Sequence, residues 1–136
     1  MHRAQQQVRD FHRAMDVPAP RKGLLALPQK RVEFRLELIR EEFEELKEAF
    51  AKAYKYSDGS VEVTPDQIDA LCDLLYVTYG TAVEMGLDLE PFFELVQEAN
   101  MKKTAGPLRA DGKKLKPPGW EAPDHGPELR RQREDV

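Results

Sequence analysis

Four carboxylates stand at spacings that could hold a divalent cation: Glu42 and Glu45 three residues apart, Asp69 and Asp73 four apart. Val32, Leu36, Ile39, Phe43, Leu46 and Phe50 recur at steps of four and three, an apolar stripe at helical period. At about 100° per residue, Glu42 falls about 80° from the centre of that stripe, on the flank of Arg35, Leu38 and Ala49. Glu45 is on the same flank, further out, so both carboxylates can reach one point. Glu41 is nearly opposite the stripe, and Glu37, Glu44 and Glu48 project toward solvent. On this helix alone, a solvated acidic face is the simpler reading.

The next helix alters that balance. Ile68, Leu71, Cys72, Leu75, Tyr79, Ala82 and Val83 form one stripe, and Leu74, Val77 and Met85 extend apolar character around most of the circumference. Such a helix is expected to be buried. Asp69 and Asp73 leave one flank of it, beside Tyr76 and Gly80. Buried ionised aspartates need a partner or a metal, and two together repel unless a cation lies between them. Salt bridges to Arg35 or a lysine are the structural alternative. An all-carboxylate donor set suits Mg²⁺, with Mn²⁺ as a substitute.

Other chemistries find no footing. The helical di-iron site uses Glu-x-x-His pairs, whereas His2, His12 and His125 lie outside the carboxylate helices. No Walker loop, Gly-rich dinucleotide fingerprint or G-x-S-x-G elbow is present. Cys72, the single cysteine, sits in an apolar segment and is expected to be a core thiol.

The elements that must position these acids read as helices. The expected spans are 4–15 (Val8, Phe11 and Met15 on one face), 31–56, Pro65 to about 86, and 89–102, with residues 127–134 either a terminal helical turn or disordered. Thr64 followed by Pro65 reads as an N-cap with proline at the first helical position. No β pattern of useful length appears. The fold class is all-α, a four-helix arrangement, with residues 1–104 as the helical domain and 105–136 as a Gly/Pro-rich basic tail.

Charge is unevenly distributed in these 136 residues of net charge −4. Seven glutamates fall within 33–48, and six Lys/Arg against one Asp111 within 102–116. That pairing suits a metal-plus-phosphate site better than nucleic acid, which needs a broad basic face. No apolar run approaches the ~20 residues that span a bilayer, and MHRAQQQVRD carries no apolar signal core. A cytoplasmic protein is expected, with no nucleic-acid or membrane partner. A core this small is expected to be completed by a second copy, as a homodimer or a dimer of dimers.

FHRA at 11–14, the proline-bearing connector, RLELIREEFEEL at 35–46, DALCDLLYVTYGTAVEMGLD at 69–88 and EANMKKTAGPLRADGKKLKPPGW at 98–120 follow one another in an order that resembles a known family. It is the MazG-like all-α NTP pyrophosphohydrolases, which include dimeric dUTPases and phosphoribosyl-ATP pyrophosphohydrolase. The resemblance implies a four-helix MazG-like bundle and Mg²⁺ ligation by Glu42, Glu45 and Asp73. The position three before Asp73 is Ala70, a departure from the family pattern, so the fourth ligand is Asp69 or, in another register, Asp66. The resemblance places Asn100 and Lys103 at nucleotide and phosphate. It matches Asp111, Gly112, Lys113, Lys116 and Trp120 to a tail that can close over the site. The general base would be Glu45 or Glu41, with Lys103 countering phosphate charge, and Arg35 is assigned to the substrate. The implied reaction is hydrolysis of a (d)NTP, dUTP first, to (d)NMP and pyrophosphate, which cleanses the nucleotide pool. A non-catalytic helical scaffold is the alternative.

Overall fold

Prolines and capping side chains set where the helices begin. The computed structural model describes residues 1–134. In it α1 spans Arg3–Ala14, α2 Gln29–Ala51, α3 Pro65–Glu84, α4 Leu89–Met101 and α5 Gly126–Glu134, with a 3-10 turn over Lys102–Ala105. α2 starts directly after Pro28, and α3 opens on a reciprocal capping box. The Gln67 amide donates to Thr64 Oγ1 at 3.3 Å, and the Thr64 amide donates to Gln67 Oε1 at 3.1 Å. Asp88 caps α4 by accepting from the Glu90 amide at 3.0 Å. Among the described residues there is no strand, only the isolated bridges Lys55–Val61 and Leu108–Lys114. The chain is all-helical.

α2 and α1 both pack on α3, and the three meet at Gly80. A Cβ there would lie 2.3 Å from Arg35 Nη2 and 2.9 Å from His12 Nε2. Arg35 cannot swing aside without loss, because its Nη2 donates to the Val77 carbonyl at 2.7 Å, its Nε to Thr81 Oγ1 at 3.1 Å and its Nη1 to Glu84 at 3.1 Å. Gly80→Ala is therefore expected to destabilise the fold. Alanine's advantage of about 1 kcal/mol in a helix interior predicts the opposite sign, and a urea titration separates the two.

Among the described residues five α-helices form where four are expected, because residues 126–134 fold as a full α-helix. Gln132 anchors it: its Oε1 accepts from the Asp88 amide at 2.8 Å, and its Nε2 donates to the Asp88 carbonyl at 3.0 Å. The connector between α1 and α2 is stitched to the same corner, with the Gly23 amide on the Gln132 carbonyl and the Leu24 amide on the Met85 carbonyl, both at 2.9 Å. α2 ends at Ala51, short of residue 56, where the chain turns into the Lys55–Val61 bridge.

Three burial expectations are corrected. α3 is not enclosed: Ile68, Leu71 and Leu75 are 47–58% exposed. Cys72 is exposed rather than a core thiol. α1 buries Val8 as expected, but with Gln5 and His12 in place of Phe11 and Met15. The physical reason is that hydrogen-bonding needs select the inner faces. Gln5 serves both the Leu87 carbonyl (2.6 Å) and the Leu89 amide (3.0 Å), and His12 Nδ1 meets the Pro18 carbonyl at 3.0 Å. Much of each apolar stripe points outward, although Ala82 and Val83 of α3 are buried. Val32, Leu36, Phe43 and Phe50 of α2 are exposed as well.

Candidate metal and phosphate site

α2 and α3 run antiparallel, which sets the flank Arg35–Glu42–Glu45–Ala49–Lys52 of one against Asp66–Asp69–Asp73–Gly80–Glu84 of the other. Oxygens of Glu42, Glu45 and Asp73 lie within 4.8 Å of one another. Beside them opens a cleft of about 210 Å³, lined by Glu45, Glu48, Ala49, Lys52, Asp66, Asp69 and Ala70. The small side chains of Ala49 and Ala70 leave this room between the helices.

The charge at this point is uncompensated. Among the described residues no ion pair reaches Glu42, Glu45 or Asp73. Glu42 Oε2 is shut off from solvent and has no hydrogen-bond partner. Burial, and then the nearby Glu45 carboxylate, push the Glu42 pKa up; burial, and then Asp69 and Glu45, do the same for Asp73. A hard divalent cation fits: the donors are all carboxylate oxygens, one is orphaned, and the excess negative charge has no other partner.

The signs of these shifts fix a pH dependence. Ordinary values are 4.5 for Glu42 and 3.8 for Asp73, and both are raised in the fold. The folded state thus holds protons that the unfolded state has already released. Stability falls as pH rises from about 4 through the raised folded values, and the whole penalty is present at neutral pH. In EDTA the melting temperature is expected to drop across this window, and saturating Mg²⁺ should abolish the drop. A pH profile unaffected by Mg²⁺ would contradict cation binding here.

Asp69 and Asp66 are exposed, and both line the cleft. Asp69 lies outside the converging trio, and its charge helps push the Asp73 pKa up. Glu41 is exposed and adds to the negative potential at Glu42. Arg35 is buried, its guanidinium committed to Val77, Thr81 and Glu84. Glu48 and Lys52, which line the cleft, belong to none of the residues singled out from sequence. Lys52 continues the Glu42–Glu45–Ala49 flank by one more step of three, a signal the spacing carries.

A second group forms where α4 ends. Lys103 Nζ and Lys116 Nζ lie 4.8 Å and 5.0 Å from the Trp120 ring centre, cation–π distances. Trp120 Nε1 donates to the Ala99 carbonyl at 2.7 Å, and Lys114 Nζ holds the loop through the Thr104 and Gly106 carbonyls. Asn100 and Lys113 are exposed nearby in sequence. Among the described residues, no hydrogen bond, ion pair or ring contact joins this group to the acids. No helix among them is long and apolar enough to cross a membrane.

Residues 8–100 match a family model described as phosphoribosyl-ATP pyrophosphohydrolase. The match runs from α1 through α4, takes in every acid of the cluster and stops at Asn100, before the basic tail. No curated protein matches the chain.

Proposed function

The chain belongs to the phosphoribosyl-ATP pyrophosphohydrolase family, hydrolases that act on acid anhydrides, and we propose that it is a Mg²⁺-dependent (d)NTP pyrophosphohydrolase with dUTP as first candidate substrate. The family's general dependence on divalent metals and its nucleotide substrates agree with the acid cluster. The observation that carries this reading is the convergence of Glu42, Glu45 and Asp73 around an orphaned carboxylate oxygen, with no ion pair to any of the three among the described residues.

In this reading Glu42, Glu45 and Asp73 would hold Mg²⁺, with Asp69 as fourth ligand in preference to Asp66 because its charge already acts on Asp73. Mg²⁺, with Mn²⁺ as substitute, supplies neutralisation of phosphate oxygens and a more acidic water. Glu45 is the exposed member of the cluster, lines the open cleft, and takes the proton of the attacking water; Glu41 is the alternative base. The water oxygen bonds to the α-phosphorus, the α–β bridging P–O bond breaks, and pyrophosphate leaves with its electron pair. Lys103, with Lys113 and Lys116, counters phosphate charge as point cations. Trp120 seats Lys103 and Lys116 against its ring, and Asn100 contacts the nucleotide. Arg35, locked to Glu84, orients α2 against α3 and so acts on the substrate only through the helix it holds.

A second copy of the chain is proposed to cover the outward apolar stripes of α2 and α3, giving a homodimer or dimer of dimers. Light scattering after size exclusion reads this directly. Removing waste nucleotides from the pool is the role that follows, and the cytoplasm is the place for it.

The test is pyrophosphate release from a panel of all common NTPs and dNTPs, with phosphoribosyl-ATP included, under Mg²⁺ or Mn²⁺. Turnover of dUTP above the other nucleotides is expected. Preference for phosphoribosyl-ATP would move the substrate while keeping the reaction. In the same assay Lys103→Ala is expected to raise KM about tenfold, the weight of one charge-assisted contact; an unchanged KM would remove Lys103 from the phosphate site.

A further inference from the structure

Three arginines gather beside α1. Arg9 and Arg13, four residues apart on α1, and Arg21 of the connector line one cavity of about 510 Å³ together with Ala19. Among the described residues none of the three takes part in an ion pair. Arg9 Nε is shut off from solvent and has no hydrogen-bond partner.

The acids nearest in charge to Arg9 are engaged elsewhere. Asp88 caps the Glu90 amide and takes the Met1 amino group at 3.2 Å, and Asp10 accepts from Gln6 Nε2 at 2.9 Å. Burial, and then the repulsion of Arg13, work against the Arg9 charge, and Asp88 and Asp10 only partly offset them. In a chain of net charge −4, positive charge gathered around a concave space with an orphaned N–H donor is a site that lacks its counter-ion. Guanidinium forks match oxyanions of the phosphate type, which accept several N–H donors at once.

We propose that Arg9, Arg13 and Arg21 form an oxyanion site, separate from the α2–α3 acids, that binds a phosphate group. The group can come from free phosphate, from pyrophosphate or from a nucleotide monophosphate. The cavity volume accommodates each of these, and the site needs no divalent metal.

The experiment is calorimetric titration of the full chain in EDTA with inorganic phosphate, pyrophosphate or UMP. The wild type is compared with Arg13→Gln/Arg21→Gln, Lys103→Gln/Lys116→Gln and Glu42→Gln. Arg13 and Arg21 are exposed, so the first variant tests the site without touching a buried group. Metal-free binding to the wild type is expected, weakened about a hundredfold in Arg13→Gln/Arg21→Gln, roughly tenfold per charge-assisted contact. It should be retained in the lysine pair and in Glu42→Gln. Among the three ligands, the tightest identifies the source of the phosphate group. No metal-free binding, binding undiminished in the arginine pair, or binding lost only with the lysines would each overturn the proposal. None of those outcomes bears on metal-dependent turnover, so the two sites stand or fall separately.

Discussion

Glu42→Gln is expected to lower Mg²⁺-dependent pyrophosphate release by roughly a thousandfold, the scale reached when a group that places transition-state electrostatics is removed. The same substitution is expected to raise the melting temperature of the metal-free protein. Both follow from one fact. Glu42 is a half-buried carboxylate with an orphaned oxygen, facing Glu45 and Asp73, so its charge costs stability in the metal-free protein and is useful only with a cation bound. Glutamine keeps the shape and removes the charge. Mg²⁺ at about a hundred times its dissociation constant should stabilise the wild type by about 2.7 kcal/mol, several degrees in Tm for a chain of this size, and should do little for the variant. Asp73→Asn is expected to behave alike. A variant that stays active, or that melts lower without metal, would remove Glu42 from the site. Opposite signs for activity and metal-free stability are hard to produce by a merely structural defect, which would lower both.

The helices were legible because their signals are local. Thr64-Pro65 before α3 and the four-three stripe on α2 each fix a boundary or a period without reference to the rest of the chain. The acid flanks were legible for the same reason, since i,i+3 and i,i+4 spacing settles which carboxylates share a face of one helix. What spacing along one helix cannot give is the choice of face that turns inward. Leu36, Phe43, Ile68 and Leu75 look like core and stand exposed, while Gln5, Gln67 and Glu84 look like surface and are almost wholly buried. Apolar periodicity marks a face that wants a partner; it does not say whether that partner is the same chain. Gln5 is the sharpest case. Its burial is decided by the Leu87 carbonyl and the Leu89 amide, more than eighty positions away. The carboxylates that matter were likewise separable from the solvated ones only across the helix pair. Glu48 stands exposed, as its angle on α2 implies, and also lines the cleft once α3 is alongside.

The second large effect lies at the other end of the same helix pair. Glu84 is 1% exposed and takes two hydrogen bonds from Arg31, each 2.8 Å, and one from Arg35 at 3.1 Å. Glu84→Ala leaves the buried Arg35 guanidinium without its anion, and removing one partner of a buried ion pair costs about 3–5 kcal/mol. Replacing the pair is another matter: Glu84→Leu with Arg35→Met buries similar volume with no charge to desolvate, and is expected to recover much of that loss. Denaturant midpoints of wild type, single and double variants form the cycle that checks it. Activity gives the contrast. Arg35 and Glu42 share a flank two turns apart, so the double variant, if it refolds α2 against α3, should also keep pyrophosphate release. Recovered stability with lost turnover would mean that Arg35 contacts the nucleotide itself, and that its bonds to Val77, Thr81 and Glu84 give way when substrate binds.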